Sequence, residues 1–429
     1  MIVEKLIYGF KPEQFGDMEI VFSVILIALI YFNFSKIPNL YIIYFFILFL
    51  YIFLFVFLFS TNDFYEGTDR LGNCGWLELS DQLQNGQSAY SLQANRFIQE
   101  ENYIKNLKIS FYYPPTYIFF YELLCKYDNN LFNYINLIGF IFVALLISKI
   151  INRHKVKVFI IIFTGLSSSL WMMRQGQVVF IELIFLALSL NSYNKKNYYF
   201  GHLFYILFGL SRLYFLILLV PMLLFRNSKK EYFFTFLIGL FLIIAQWELW
   251  TDYFNLWLGL DGYLFGDVTS YSNRTSLFDE QLGRYAFSIF LVLRYLLNTF
   301  ANVEWAETLV PALSILFLVI ITSNYYVFYK FKNKSLLFRI LITLALNFVL
   351  YPVLKPYIIT IYLVVSVFLF KFKNDLYVKF SMFLFCIVGV YGHIVTNLIS
   401  STFSMEIYQL VILIFHFILS FNKKFDELK

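Results

Sequence analysis

The sequence predicts an all-α, polytopic membrane protein, and three observations carry that prediction. Apolar residues make up 60% of the 429 and charged residues only 14%, a balance outside that of ordinary soluble domains. Apolar runs close to the roughly 20 residues that a bilayer span requires recur along the chain, divided by short polar links. Lys and Arg gather in a subset of those links, as they do in the cytoplasmic loops of membrane proteins. The formal charge of +6 therefore needs no nucleic-acid partner to explain it. The 55 Phe and 34 Tyr are a compositional bias and say nothing about mechanism. Three cysteines (Cys74, Cys125, Cys386) make no paired framework and no CxxC.

The elements follow from hydropathy and charge together. Spans are expected over residues 18–34, 41–59, 131–151, 157–172, 178–193, 199–210, 213–226, 232–250, 307–330, 335–351, 357–371, 376–396 and 404–421, about 13 crossings. The first is retained as a helix, because the N-terminus lacks the pattern of a cleaved signal peptide. Basic clusters at Arg153–Lys157, Lys195-Lys196, Arg226–Lys230, Lys330–Lys334, Lys371–Lys373 and Lys423-Lys424 all fall inside on this assignment. The N-terminus is then outside and the C-terminus inside. Two segments must stay on the outer surface as interfacial helices: Tyr112–Lys126, which carries Pro114-Pro115, and Arg284–Thr299, whose apolar face is interrupted by Arg294. The pair 199–210 and 213–226 is short and reads as a hairpin with Ser211-Arg212 at its tip.

The chain reads as one integral membrane domain over 1–429, with outer loops at 61–130 and 251–306. The outer face collects nearly every unusual polar group. It receives Asp63, Glu66, Asp69, Glu78 and Asp81 just after the second span, then Arg174–Gln177, Ser211-Arg212, and the break Tyr351–Tyr357. The inner face receives only short basic links. Carboxylates at a membrane–water interface point to chemistry on a substrate held partly in lipid. Impermeant maleimide applied to intact cells should label Cys74 and leave a Lys155→Cys variant unlabelled. Labelling at 155 would overturn the outward-facing site.

Asp69 is the leading catalytic candidate. Partial desolvation near the interface raises carboxylate basicity, and one positioned carboxylate can deprotonate an acceptor hydroxyl. The competing reading is a solvated loop acid or helix N-cap, with four other acids nearby. Arg212 sits between two apolar runs, where an ionisable group is costly and usually functional. Its guanidinium suits phosphate, against the alternative of a snorkelling arginine at a helix end. Lys355, between Pro352 and Pro356, is a second outward cation or an interfacial anchor. Arg174 and Gln177 bracket Gly176 and could approach a ligand or simply cap a turn. The four histidines are scattered, and no pair has metal-ligand spacing. His393 reads as a core histidine at the outer end of a span. No P-loop, GxGxxG or GxSxG is present, so no nucleotide cofactor is expected; no metal site is assigned, and Asp63, Glu66, Asp69, Glu78 and Asp81 leave a divalent metal open.

Several fragments then fall into a familiar order. They are Gly67-Thr68-Asp69, Trp76 to Tyr90 (W-x6-L-Q-N-G-x3-Y), Tyr113-Pro114-Pro115, Gly176-Gln177-Val178, Ser211-Arg212-Leu213-Tyr214 and Asn273-Arg274-Thr275-Ser276-Leu277. The set, spread over residues 60–360, resembles the polyprenol-phosphate-mannose-dependent mannosyltransferases of glycosyltransferase family 87, in the GT-C superfamily. The resemblance implies a GT-C-type fold, a sugar donor on a polyprenyl phosphate, and inverting transfer to a glycolipid or envelope glycan acceptor. It implies no nucleotide in the site, and a location in the plasma membrane with the site outside. On that analogy Asp69 is the general base and Arg212 meets the donor phosphate. Lys355, Tyr357, Gln177, Arg174, Tyr113, Asn273 and Arg274 complete the candidate substrate-binding set. Two departures stand out. Arg212 occupies a position where members commonly have Lys, and Lys355-Pro356-Tyr357 replaces a segment that often contains Trp and His.

The chemistry is consistent with that inventory. A glycosyl phosphate is already activated, so its leaving group calls for cations and its acceptor for one base. The alternatives are a flippase or transporter of lipid-linked sugars, and a lipid-linked glycan polymerase or ligase. Transporters often carry internal repeats, and none is evident here. Polymerases and ligases generally carry their major loop late in the chain.

Overall fold

The computed structural model describes residues 94–100, 103–109, 114–116, 118, 120, 129–150, 179–226, 228–258, 289–302, 305–351, 356–381, 384–385, 405–422 and 424. These are mostly helical. The strands among them are β1 (Ala94–Glu100) and β2 (Tyr103–Ile109), paired antiparallel with Glu100 opposite Tyr103. Two residues separate the strands, which is the loop length of the tightest hairpins. This hairpin lies inside the segment expected as the first outer loop.

The helices are α1 (Asn129–Ile150), α2 (Val179–Asn194), α3 (Tyr198–Ser211), α4 (Leu219–Arg226) and α5 (Lys229–Ile244). They continue with α6 (Trp247–Leu258), α7 (Ile289–Phe300), α8 (Leu309–Lys330), α9 (Leu336–Val349), α10 (Pro356–Leu369) and α11 (Met405–Phe421). Side-chain caps fix two of the starts. Ser228 Oγ accepts from the Glu231 amide at 3.4 Å, and Ser335 Oγ accepts from the Phe338 amide at 3.3 Å. The expected spans at 18–34, 41–59 and 157–172 lie outside the described residues, as does most of 376–396.

Three local expectations are corrected. The span expected at 232–250 is broken: α5 and α6 meet at Ala245-Gln246 with an 84° bend between their apolar parts. The cause is the amphipathic sequence of α6, which turns to bury Trp250 and Tyr253 against Ile181, Ile206 and Leu210. Residues 251–258, expected as loop, therefore continue α6. The second arm of the hairpin begins as a 3-10 helix over Leu213–Leu218 instead of an α-helix. Tyr205 donates to the Phe215 carbonyl at 2.8 Å, and a Cβ at Gly209 would collide with Leu216, so the reversal is too tight for an α-turn. Arg294 stands in the apolar face of α7, one turn from Phe290; it is buried there, and its Nε donates to Thr308 Oγ1 at 2.9 Å.

Alternating helix directions give the described bundle two ends. One end gathers five of the basic clusters: Lys195-Lys196 after α2, Arg226–Lys230 after α4, Lys330–Lys334 after α8, Lys371–Lys373 after α10 and Lys424 after α11. Direct contacts join them. Tyr193 meets His202 Nδ1 at 3.0 Å, and His202 Nε2 lies 3.5 Å from Glu231. Phe225 packs on Tyr325 and Phe328 near the end of α8. Lys330 Nζ sits 4.0 Å from the Phe421 ring centroid, and Asn374 donates to the Lys424 carbonyl at 3.3 Å. The core behind this end includes His416, held between Tyr362 at 2.5 Å and Tyr377 at 3.2 Å. Both His202 and His416 are thus core histidines with side-chain partners.

Among the described residues, α8 is long and apolar enough to cross a membrane, and the bent pair of α5 and α6 would be a second such span if counted as one. The shorter apolar helices have 10–17 residues. α8 buries Ala312, Leu316, Ile320, Asn324 and Phe328 on one stripe. Its opposite side exposes Val310, Phe317, Leu318, Ile321 and Tyr325, so the outward face is as apolar as the inward one.

Candidate active site at the Arg212 reversal

The end of the bundle away from the basic turns is organised around Arg212. This residue closes α3 and opens the 3-10 turn, with φ −143° and ψ 83°. Its amide donates to the Gly209 carbonyl at 3.0 Å, and its own carbonyl accepts from the Phe215 amide at 2.9 Å. The backbone groups left over by two helix ends are therefore used on each other. That leaves the side chain to be placed by what surrounds it.

Three described hydrogen bonds place it. Nε donates to Glu182 Oε2 at 2.5 Å and Nη2 donates to Glu182 Oε1 at 3.0 Å, a fork-to-fork pair. Nη1 donates to the Tyr351 hydroxyl at 3.3 Å. Glu182 is buried and Arg212 mostly so, with side-chain exposures of 1% and 9%. Glu182 stands in the first turn of α2, where the helix dipole favours a carboxylate. Tyr351 follows α9 and stacks on Phe215 at 5.5 Å, with Tyr214 set edge-on at 5.1 Å. One guanidinium thus joins the start of α2, the α3 reversal and the end of α9.

The segment after Tyr113 reaches the same place. Pro114 and Pro115 are buried, and Thr116 Oγ1 donates to the Leu210 carbonyl at 3.2 Å, two residues before Arg212. Ile118 is buried against Ile181, Ile206, Leu210, Trp250 and Tyr253. This part of 112–126 is packed into the bundle and does not lie loosely on its surface.

Of the candidate catalytic and substrate-binding residues named from the sequence, Arg212 alone has a described side chain. Tyr357 is described only as the second residue of α10. Asp69, Tyr113, Arg174, Gln177, Asn273, Arg274, Lys355 and His393 lie outside the described residues. Sequence reasoning missed Glu182 and Tyr351 as partners of Arg212. A signal for Glu182 was present: it is an acid within the apolar run of the 178–193 span, and such a residue is a functional candidate by its cost alone. Among the described residues, no three or more His, Cys, Asp or Glu side chains converge as metal ligands do.

Chemically, this arrangement can hold an anion against a guanidinium whose plane is fixed by a carboxylate. It contains no described nucleophile. No family model matches the chain, and no curated protein matches it.

Proposed function

We propose that this protein is a membrane glycosyltransferase of the GT-C type, with about 13 transmembrane helices. It moves a hexose, in the first place mannose, from a polyprenyl-phosphate donor to a lipid-linked or envelope glycan acceptor, with inversion. The active site faces the extracytoplasmic side of the plasma membrane. Asp69 acts as general base toward the acceptor hydroxyl. Arg212 stabilises the departing phosphate, and the outer segments carrying Tyr113, Arg174, Gln177, Asn273, Arg274, Lys355 and Tyr357 hold the substrates.

The observation that supports this reading most is the polarity of the bundle. Basic turns collect at one end, and the buried arginine with its carboxylate and tyrosine partners sits at the other. An arginine removed from water at the outward end of a span is what a phosphate held at a membrane interface calls for. The apolar outer face of α8 supports the membrane setting, because a helix apolar all round is either enclosed or lipid-facing. Closeness of the Pro-Pro segment to the Arg212 tip is a further support, because it brings together two of the fragments that carry the resemblance.

The test is reconstitution. Purified protein in proteoliposomes, given a polyprenyl-phosphate sugar and envelope glycolipid as acceptor, should transfer the sugar with no other protein present. Movement of the donor lipid between leaflets without transfer would replace this reading with the flippase.

A further inference from the structure

We infer that Glu182 is a positioning residue that acts through Arg212, and that the two together, with Tyr351 as the exchangeable third partner, form the seat for the lipid-linked phosphate. The inference rests on the glycosyltransferase reading above. Arg212 by itself is a poor anion site: it sits on a tight reversal, and a long side chain there has many rotamers to lose. Glu182 removes that freedom. Its two oxygens take Nε and Nη2 at 2.5 and 3.0 Å, which sets the guanidinium plane and its rotation together. The contact from Nη1 to the Tyr351 hydroxyl is longer, at 3.3 Å, and is neutral on the acceptor side. A phosphate oxygen arriving at that edge makes a charge-assisted bond in place of a neutral one, while the Glu182 fork stays closed.

The pairing also gives a reason for arginine at this position. A lysine could neutralise Glu182, but its single ammonium cannot hold a carboxylate on one edge and present a fixed donor on another. Charge compensation and positioning therefore make different predictions for one substitution. Glu182→Asp keeps the charge and withdraws the carboxylate by about one bond, about 1.5 Å. If Glu182 only compensates charge, Glu182→Asp behaves as wild type. If it positions Arg212, the guanidinium is pulled off the seat.

The experiment measures binding of sugar-free polyprenyl phosphate to the full-length protein in nanodiscs, with thermal unfolding followed in parallel. The wild type should bind the probe. Glu182→Asp should unfold within a few degrees of wild type and bind at least about tenfold more weakly. Arg212→Lys should be equally weak, and combining the two should cost no more than either alone, because both break one unit. Wild-type affinity in a folded Glu182→Asp variant would overturn the inference and leave the glycosyltransferase reading standing. Additive losses in the double variant would do the same. A wild-type protein that binds no polyprenyl phosphate would overturn both.

Discussion

Asp69→Asn is expected to lower turnover by about 10²–10⁴-fold while donor binding persists. The substitution keeps the size of the side chain and much of its hydrogen bonding. It removes the capacity to accept a proton from the acceptor hydroxyl. In the proposed reaction the leaving group is a phosphate, so departure would need no comparable acid, and loss of the base would fall almost wholly on the acceptor step. The donor KM should therefore change little and kcat should collapse. Neighbouring acids provide the control. Asp81→Asn, which removes a carboxylate from the same loop with no assigned proton transfer, should have a much milder effect. An Asp69→Asn protein that is expressed and folded normally, with activity within a few-fold of wild type, would move the base to Asp63 or Glu66. It would otherwise remove the reaction class altogether.

The parts of the bundle legible in the sequence are those set by a single kind of force. Helix positions such as 179–194, 198–211 and 405–421 follow hydropathy closely, because burial of apolar runs dominates there. The hairpin tip at Arg212 was legible because a charge between two apolar runs admits few placements. What was not legible depends on packing between distant segments. The break after α5 needs Trp250 and Tyr253 to find a cluster supplied by α2 and α3, a partner that the amphipathic run of α6 does not itself name. The 3-10 start after Arg212 needs Tyr205 to reach Phe215 and Leu216 to lie over Gly209. Arg294 was legible as a charge in an apolar face, but its partner Thr308, in the following 3-10 turn, was not. Glu182 was hidden for another reason. Its charge is cancelled across 30 positions of sequence by Arg212, so the cost of burying it is visible locally and the compensation is not.

That cancellation changes what Arg212 substitutions should do. Removing the arginine alone leaves Glu182, at 1% side-chain exposure, as an uncompensated carboxylate. Breaking a buried ion pair from one side typically costs about 3–5 kcal/mol, so Arg212→Met should be markedly less stable as well as deficient in donor binding. Replacing both partners by apolar groups of similar volume is often neutral. The double variant Glu182→Leu, Arg212→Met should therefore regain most of the lost stability. Function should not return with it. A charge-assisted contact to phosphate is worth about 1.5–3 kcal/mol, so the donor KM should stay at least about tenfold above wild type in both variants. Thermal unfolding in detergent and donor KM, measured on the same preparations, separate the two effects. If the double variant recovered donor affinity together with stability, the pair would be a strut between α2 and the α3 reversal, and the phosphate would have to be held by other cations on the outer segments. If Arg212→Met were as stable as wild type, the energetic coupling between Arg212 and Glu182 would be negligible, and the argument for Glu182 as the group that aims the guanidinium would fall with it.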